Sequence, residues 1–246
     1  MNRQQPLTSY PWPPEWHWQA SPGQIQKFAA LYNTLLRANQ TLNLTRITAP
    51  ADFWEKHLWD SLAGIFSHPQ LPCLFQARVI DVGTGAGFPA LPLAITWPQW
   101  QVTALDSTRK KIQFVQNCAL ELGLENVVPW VGRAETLAQE PKHRQSYDLA
   151  VIRAVAASRV CAEYVLPLLK LGGWGVLYRG QSGNEDLATL ERVVKQLGGE
   201  ITEIVTRQTP LSHGDRHFIY LRKIAPTAPL YPRAIGIPRQ SPLTGQ

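Results

Sequence analysis

Three glycines and two acids carry the first chemistry that this sequence offers. In Val79-Ile-Asp-Val-Gly-Thr-Gly-Ala-Gly-Phe-Pro89, Asp81 precedes Gly83, Gly85 and Gly87, and Asp106 follows 23 residues after Gly83. Glycines in such a run let the chain turn sharply and bring backbone close to a ligand with no Cβ between them. A carboxylate in the position of Asp106 can accept hydrogen bonds from ribose hydroxyls. A glycine-rich turn by itself also serves plain turns, but strand, turn, helix, strand and acid in that order read as a nucleotide site. The dinucleotide fingerprint G-x-G-x-x-G is not met, because Phe88 stands where the third glycine belongs. The Gly-Lys-Ser/Thr of a P-loop is also absent.

The flanking sequence supplies the elements that must hold these residues. Short apolar runs at Arg78–Val82, Gln101–Asp106, Asn126–Val131, Tyr147–Arg153 and Trp174–Arg179 predict strands, with Pro129 fitting the third to a sheet edge or a bulge. Helices are predicted from about Pro89, over Thr108–Leu122 closed by Gly123, over Ser158–Leu171 ended by Gly172-Gly173, and over 183–197. Strands at about 200–207 and 216–223 form a hairpin. Ahead of this core, Ile25, Phe28, Ala29, Tyr32, Leu35 and Leu36 predict an amphipathic helix over 24–38. A second runs from an Asp52 cap through Phe66. Alternating strands and helices give an α/β fold with a mostly parallel sheet, helices on both faces and a C-terminal hairpin strand. The expected organisation is a Pro/Trp-rich arm at 1–23, N-terminal helices at 24–70, a core at 71–224 and a basic Pro-rich arm at 225–246. Five of the 20 prolines fall in 1–23 and five in 225–246, so both ends are expected to be extended.

Composition narrows the class. The 44% hydrophobic and 17% charged content of the 246 residues excludes a mostly disordered chain. No run of about 18 apolar residues predicts a membrane span. Met1–Trp18, with four prolines and no apolar stretch, does not read as a secretory signal. Cys73, Cys118 and Cys161 are odd in number and widely spaced, which fits a reducing cytoplasm and argues against a disulfide framework or a cysteine-based zinc site. His213 and His217 lack a third ligand, so no metal is expected. The net charge of +6 and pI near 9.4 permit a polyanionic partner such as RNA.

D-x-G-x-G-x-G at Asp81–Gly87 resembles the first motif of class I S-adenosylmethionine (SAM) methyltransferases. SAM carries no phosphate, so the loop need not end in a phosphate-cradling helix tip. Further motifs follow in order: Asn43-Leu-Thr45, Lys56-His-Leu-Trp-Asp-Ser61, Leu105-Asp-Ser107, Arg133-Ala-Glu135, Ile152-Arg-Ala154, Tyr231-Pro-Arg233 and Gly236-Ile-Pro238. Over about 25–240 this series is similar to the RsmG family, also called GidB. Its members methylate N7 of a guanine in the 16S RNA of the small ribosomal subunit. The resemblance implies a class I Rossmann-like fold, SAM as cofactor with S-adenosylhomocysteine as product, and 16S rRNA or the small subunit as partner. The protein is expected to act as a cytoplasmic monomer.

Carried over position by position, the resemblance puts cofactor contacts at Gly83 and Phe88, at Asp106, Ser107 and Thr108, at Ala134 and Glu135, and at Arg153. Asp106 would hold the ribose, and Glu135 would lie near the adenine. Arg153 would lie near the methionine end and the target base, as the catalytic candidate acting by orientation and electrostatics and the only charged group expected there. Members often carry Lys where this chain has Arg179. N7 of guanine needs no proton removed, so no general base is required. Neither an Asn-Pro-Pro-Tyr-like stretch nor the Pro-Cys pair of a cytosine-C5 enzyme is present. RNA-binding candidates are His57, Arg109, Lys110, Lys111, Arg179, Arg233 and Arg239.

Each has a plainer alternative. His57 could line the substrate mouth or pack against Asp60. Arg109, Lys110 and Lys111 could form a solvated helix face. Trp12, Trp16 and Trp18 are expected to pin an arm to the core rather than stack bases. The tail could carry Arg233 and Arg239 to RNA phosphates or fold back over the sheet with them solvated. If the tail reaches RNA, its removal is expected to leave SAM affinity unchanged, because the carried-over cofactor residues lie between Gly83 and Arg153; early melting with loss of SAM would mark it as structural. Two other functions stay open: a SAM enzyme acting on a small molecule or protein, and a non-catalytic RNA-binding module.

Overall fold

A seven-stranded sheet organises the computed structural model, which describes residues 10–180 and 186–245. Strands β1 (Arg78–Val82), β2 (Gln101–Asp106), β3 (Val127–Val131), β4 (Tyr147–Arg153) and β5 (Leu169–Arg179) are parallel. A hairpin of β6 (Gly199–Gln208) and β7 (Asp215–Lys223) completes the sheet, with β7 antiparallel to β5. The order is β3-β2-β1-β4-β5-β7-β6. It runs one way from β1 through β2 to β3 and the other way from β4, so a crevice opens beyond the carboxyl ends of β1 and β4. Pro129 sits on the edge strand β3, where its missing N–H leaves no ladder bond unmade.

The two-residue alternation of the strands divides the core. Val79, Val102, Ala104, Leu149, Val151 and Val176 face α4 (Ala90–Thr96) and α5 (Arg109–Glu121), backed by α1 (Pro22–Leu42) and α3 (Asp60–Phe66). Ile80, Val82, Leu105, Ala150, Ile152 and Leu177 face the layer of α6 (Ala134–Leu137), α7 (Ser158–Val165) and α8 (Leu187–Gln196). Both faces are covered, as near-continuous apolar strands require.

Several boundaries differ from expectation for identifiable reasons. α1 begins at Pro22 because Ser21 and Gln24 form a reciprocal capping box. The second helix starts at Pro50 as α2 (Pro50–Phe53), and Asp52 pairs with Lys56 at 2.6 Å instead of capping. Over Trp54–Trp59 the helix widens to a π-helix before α3. α7 stops at Val165, followed by a tight turn with Pro167, and β5 starts at Leu169. Gly172-Gly173, read as a helix end, lies inside that strand at an irregularity in its register with β4. The predicted helix over 183–197 is α8, its first residues falling outside the described ones, as do Gln181 and residues 1–9.

Neither end is simply extended where it is described. Trp12 and Trp16 are buried, Trp12 tilted against Trp54 at 5.7 Å and Trp16 stacked on Phe66 at 4.7 Å, so this arm is pinned. The other end folds back over the α6–α8 face and contains α9 (Ile237–Gln240). The Arg144 guanidinium donates to the carbonyls of Thr227, Ala228 and Tyr231 at 2.7–3.1 Å. Arg233 is held by Glu163, whose carboxylate accepts from the Arg233 backbone N–H at 2.9 Å and from Nε and Nη2 at 2.9 and 2.7 Å. No helix among the described residues is long and apolar enough to cross a membrane.

Candidate active site

The glycine loop is positioned by its own hydrogen bonds. Gly83 and Thr84 both donate their N–H to the Leu105 carbonyl, Gly87 and Phe88 donate to Thr84 O, and Gly85 donates to Asp106 Oδ2 at 3.0 Å. Gly83 has φ +79°, and a Cβ there would stand 2.5 Å from Val155, so glycine is required. The same holds at Gly87, with φ +87° and Leu91 at 2.4 Å. A loop whose N–H groups are bonded internally is not arranged to cradle a phosphate, which favours an adenosyl ligand lacking one. Asp81 lies wholly buried beneath the loop and accepts the Ala90 N–H at 3.0 Å. Burial pushes its pKa up to about 7, against the pull of the Ala90 N–H and the nearby Arg153 cation.

Beyond this loop lies a cavity of about 300 Å³. Its lining brings together Gly83, Asp106, Ser107, Thr108, Ala134 and Glu135, contributed by the carboxyl ends of β1, β2 and β3. Apolar walls come from Val82, Leu105, Val155 and Ala156. Asp106 orients its carboxylate by accepting from Gly85 and, at 2.8 Å, from the Thr108 N–H, and Lys111 stands 3.8 Å away. Each carboxylate oxygen has a second lone pair available to accept from a vicinal diol. Acceptors for ribose hydroxyls and an adenine amine, set between apolar walls, match the groups that S-adenosylmethionine presents.

Phe88 and Arg153 do not line this cavity; they belong to a second cluster beside it, next to its wall at Ala154 and Val155. The His57 ring stacks on Phe88 at 4.2 Å and 13°, and its Nε2 lies 3.2 Å from Thr45 Oγ1. Arg153 donates from Nη1 to the Lys56 carbonyl at 2.9 Å and to Asp60 Oδ2 at 2.7 Å, with its Nη2 3.5 Å from His57 Nδ1. Asp60 Oδ1 accepts from Arg216 Nε at 3.1 Å. Asp60 thus pairs with two arginines rather than with His57. Arg153 is also not the only charge there, because Asp60 and Arg216 share its site. The π-helix Trp54–Trp59 presents the Lys56 carbonyl and His57 to this cluster, and it is fixed to the β6–β7 turn through Glu55, which accepts from Ser212 N and Oγ at 2.9 and 2.7 Å. Irregular helical turns of this kind are frequent at functional sites.

Burial, reinforced by the adjacent Arg153 cation, lowers the His57 pKa to about 3. The ring is therefore neutral at pH 7. Its folded-state pKa lies below the unfolded value of about 6.5, so the unfolded chain binds the extra proton first. The contribution of His57 to stability is complete above pH 6.5 and is lost as pH falls towards 3, at up to about 1.4 kcal/mol per unit. Melting temperatures recorded from pH 7 to pH 4 are expected to fall more steeply for the wild type than for His57→Gln. Parallel curves would show that the ring is not held neutral.

The basic candidates separate. Arg109 and Lys110 are exposed on the first turn of α5, whereas Lys111 turns to the cavity. Arg179 donates to the Ala156 carbonyl. Arg233 is engaged by buried Glu163, and Arg239 reaches the cavity together with Gly236. The cavity therefore does not end at Arg153, as the sequence implied; two residues of the folded-back tail line it. Arg216 was also missed as a site residue. An antiparallel last strand starts at the edge where the parallel strands end, so the predicted hairpin held the signal. Cys118 is buried in the core with its pKa pushed up to about 12 by that burial and by the Glu121 charge, so it offers no thiolate at neutral pH.

The family model described as GidB, rRNA small subunit methyltransferase G, matches residues 24–219. A ribosomal RNA small subunit methyltransferase G from Trichormus variabilis is 50% identical over 234 residues, spanning 94% of this chain and 96% of that protein. One from Synechococcus elongatus is 53% identical over 226 residues, spanning 92% and 93%. Among solved structures, a 16S rRNA (adenine(1408)-N(1))-methyltransferase from Catenulisporales acidiphilia with cosubstrate SAM shares the fold at TM-score 0.52 and 16% identity. That match covers 63% of this chain and 88% of the other.

Proposed function

The chain belongs to the rRNA small subunit methyltransferase G family, and on that footing we propose that it transfers a methyl group from S-adenosylmethionine to N7 of a guanine in 16S rRNA. The observation that carries this reading is the adjacency of two sites. A cavity with adenosyl-type acceptors, Asp106 and Glu135, abuts a cluster in which Arg153, His57 and Phe88 are locked in place.

When bound, S-adenosylmethionine supplies an electrophilic methyl on a sulfonium. Asp106 holds the ribose through its free lone pairs, and Glu135 lies at the adenine end. Arg153, fixed by the Lys56 carbonyl and Asp60, orients the methionine end and the target base from the wall they share. No side chain has to accept a proton, because N7 of guanine presents an in-plane lone pair; catalysis is positioning and electrostatic matching. A neutral His57 and a protonated Cys118 agree with that economy of groups. Exposed Arg109 and Lys110, with Arg179 beside Ala156 and Arg216 beside Asp60, carry the RNA backbone. The protein acts in the cytoplasm, as a monomer, on 16S rRNA or the small subunit.

Transfer of labelled methyl from SAM to unmodified 16S RNA or small subunits, followed by nucleoside analysis, tests the proposal. New 7-methylguanosine is expected. Label on a small molecule or protein, or RNA affinity without transfer, would overturn it. Asp106→Ala is expected to weaken SAM binding by about 1–3 kcal/mol, the scale of a charge-assisted hydrogen bond left unpaired. Calorimetry showing unchanged affinity would remove Asp106 from the site.

A further inference from the structure

The tail that folds back over the α6–α8 face does more than cover it. Gly236 and Arg239 line the cavity that holds Asp106 and Glu135. Glu135, which is buried, accepts the Gly236 backbone N–H at 3.1 Å across 101 residues of sequence. Three residues before Gly236, Arg233 is fastened to Glu163, so the chain entering the cavity wall has a fixed position. Gly236 itself has φ +84°, the turn that starts α9 and brings Arg239 to the cavity. Arg239 is exposed at the mouth, and its guanidinium has no ion pair among the described residues.

Resting on the function proposed above, we infer that Arg233–Gln240 is a wall of the cofactor site and that Arg239 is a binding residue for the adenosyl end of S-adenosylmethionine. The location selects that end. The cavity around Arg239 is the one bounded by Asp106, Ser107 and Glu135, while Arg153 and its partners stand outside the lining. The chemistry suits it as well. Asp106 and Glu135 are acceptors, matched to the ribose hydroxyls and the exocyclic amine, and they leave the ring nitrogens of adenine without a partner. A guanidinium supplies planar N–H donors for those nitrogens and stacks on a purine face. Gly236, by engaging Glu135, sets the position of the carboxylate that meets the same ring.

Calorimetry on the full-length protein with S-adenosylhomocysteine and with 5′-methylthioadenosine, which lacks the amino-acid part, tests this. Arg239→Ala is expected to weaken both ligands by about tenfold, the scale of one hydrogen bond to a charged group. Arg239→Lys, which keeps the charge but not the planar fork, is not expected to restore them. The melting temperature of the ligand-free variant and its affinity for 16S RNA are expected to stay at wild-type values. Unchanged affinity for both ligands would overturn the inference. So would a loss confined to S-adenosylhomocysteine, which would put Arg239 on the amino-acid carboxylate. Weaker RNA binding with intact ligand binding would assign it to RNA. A wild type that binds neither ligand would instead defeat the cofactor reading on which the inference stands.

Discussion

Arg153→Ala is expected to lower kcat for methyl transfer by about 100-fold or more, the scale seen when one preorganised polar group is removed from a reacting centre. The residue closes β4 and is held at two points, the Lys56 carbonyl and Asp60, with its guanidinium 5.9 Å from the Phe88 ring centre. Such bracing fixes one orientation before any substrate arrives. Lysine cannot reproduce it, since a single ammonium lacks the fork that spans carbonyl and carboxylate, so Arg153→Lys is expected to remain severely impaired. Loss of Arg153 also leaves buried Asp60 with Arg216 as its remaining partner. A double variant separates the two effects. If activity fails because Asp60 is left underpaired, Asp60→Asn in the Arg153→Ala background restores it; if Arg153 itself orients the reactants, it does not. Recovery in the double variant would demote Arg153 to a structural partner.

The largest stability effect is expected at Glu163→Ala. Glu163 is fully buried, and among the described residues the hydrogen bonds of its carboxylate come from Arg233. Removing one member of a buried pair leaves the other charge uncompensated and costs about 3–5 kcal/mol; the Arg233 side chain, 22% exposed, keeps some water, so the loss is expected at the lower end of that range. For a chain of this size that lowers Tm by about 10 °C. Glu163→Gln keeps the shape and an acceptor oxygen, and is expected to lose less. Thermal unfolding of the three proteins measures this; a Glu163→Ala Tm within a degree or two of wild type would show that the tail is not fastened there. Arg233 is thus committed to the fold, and its type and place in a basic tail did not reveal that in the sequence.

What was legible followed local rules. The strand–turn–helix–strand–acid order placed Gly83 and Asp106 in one cavity, because the carboxyl ends of neighbouring parallel strands must meet at one edge. Strands alternating with helices predicted a sheet covered on both sides, and of the edge or bulge that Pro129 allowed, the structure has the edge. What was not legible depended on contacts across long stretches of chain. Proline content in the tail argued for an extended arm, yet Arg144 satisfies three of its carbonyls from 83–87 residues upstream. The π-helix came from no periodic signal, since its apolar spacing also suits an α-helix over so short a run. Gly172-Gly173 looked like a helix stop and proved to be a strand irregularity, where a Cβ on Gly173 would press on the Lys170 and Tyr147 carbonyls at 3.0 and 3.1 Å.

The placement of Gly236 and Arg239 also sets an order of events during synthesis. A chain emerging at about 5–20 residues per second exposes its N-terminal segments first. Asp106 and Glu135 are made well before the residues that complete their cavity, Gly236 standing 101 residues after Glu135. Until those positions leave the ribosome, Glu135 lacks its Gly236 partner and one side of the cavity stays open to water. The nascent protein can therefore assemble its sheet through β7 without yet having a finished site, and the cavity is completed only when the tail has folded back onto it.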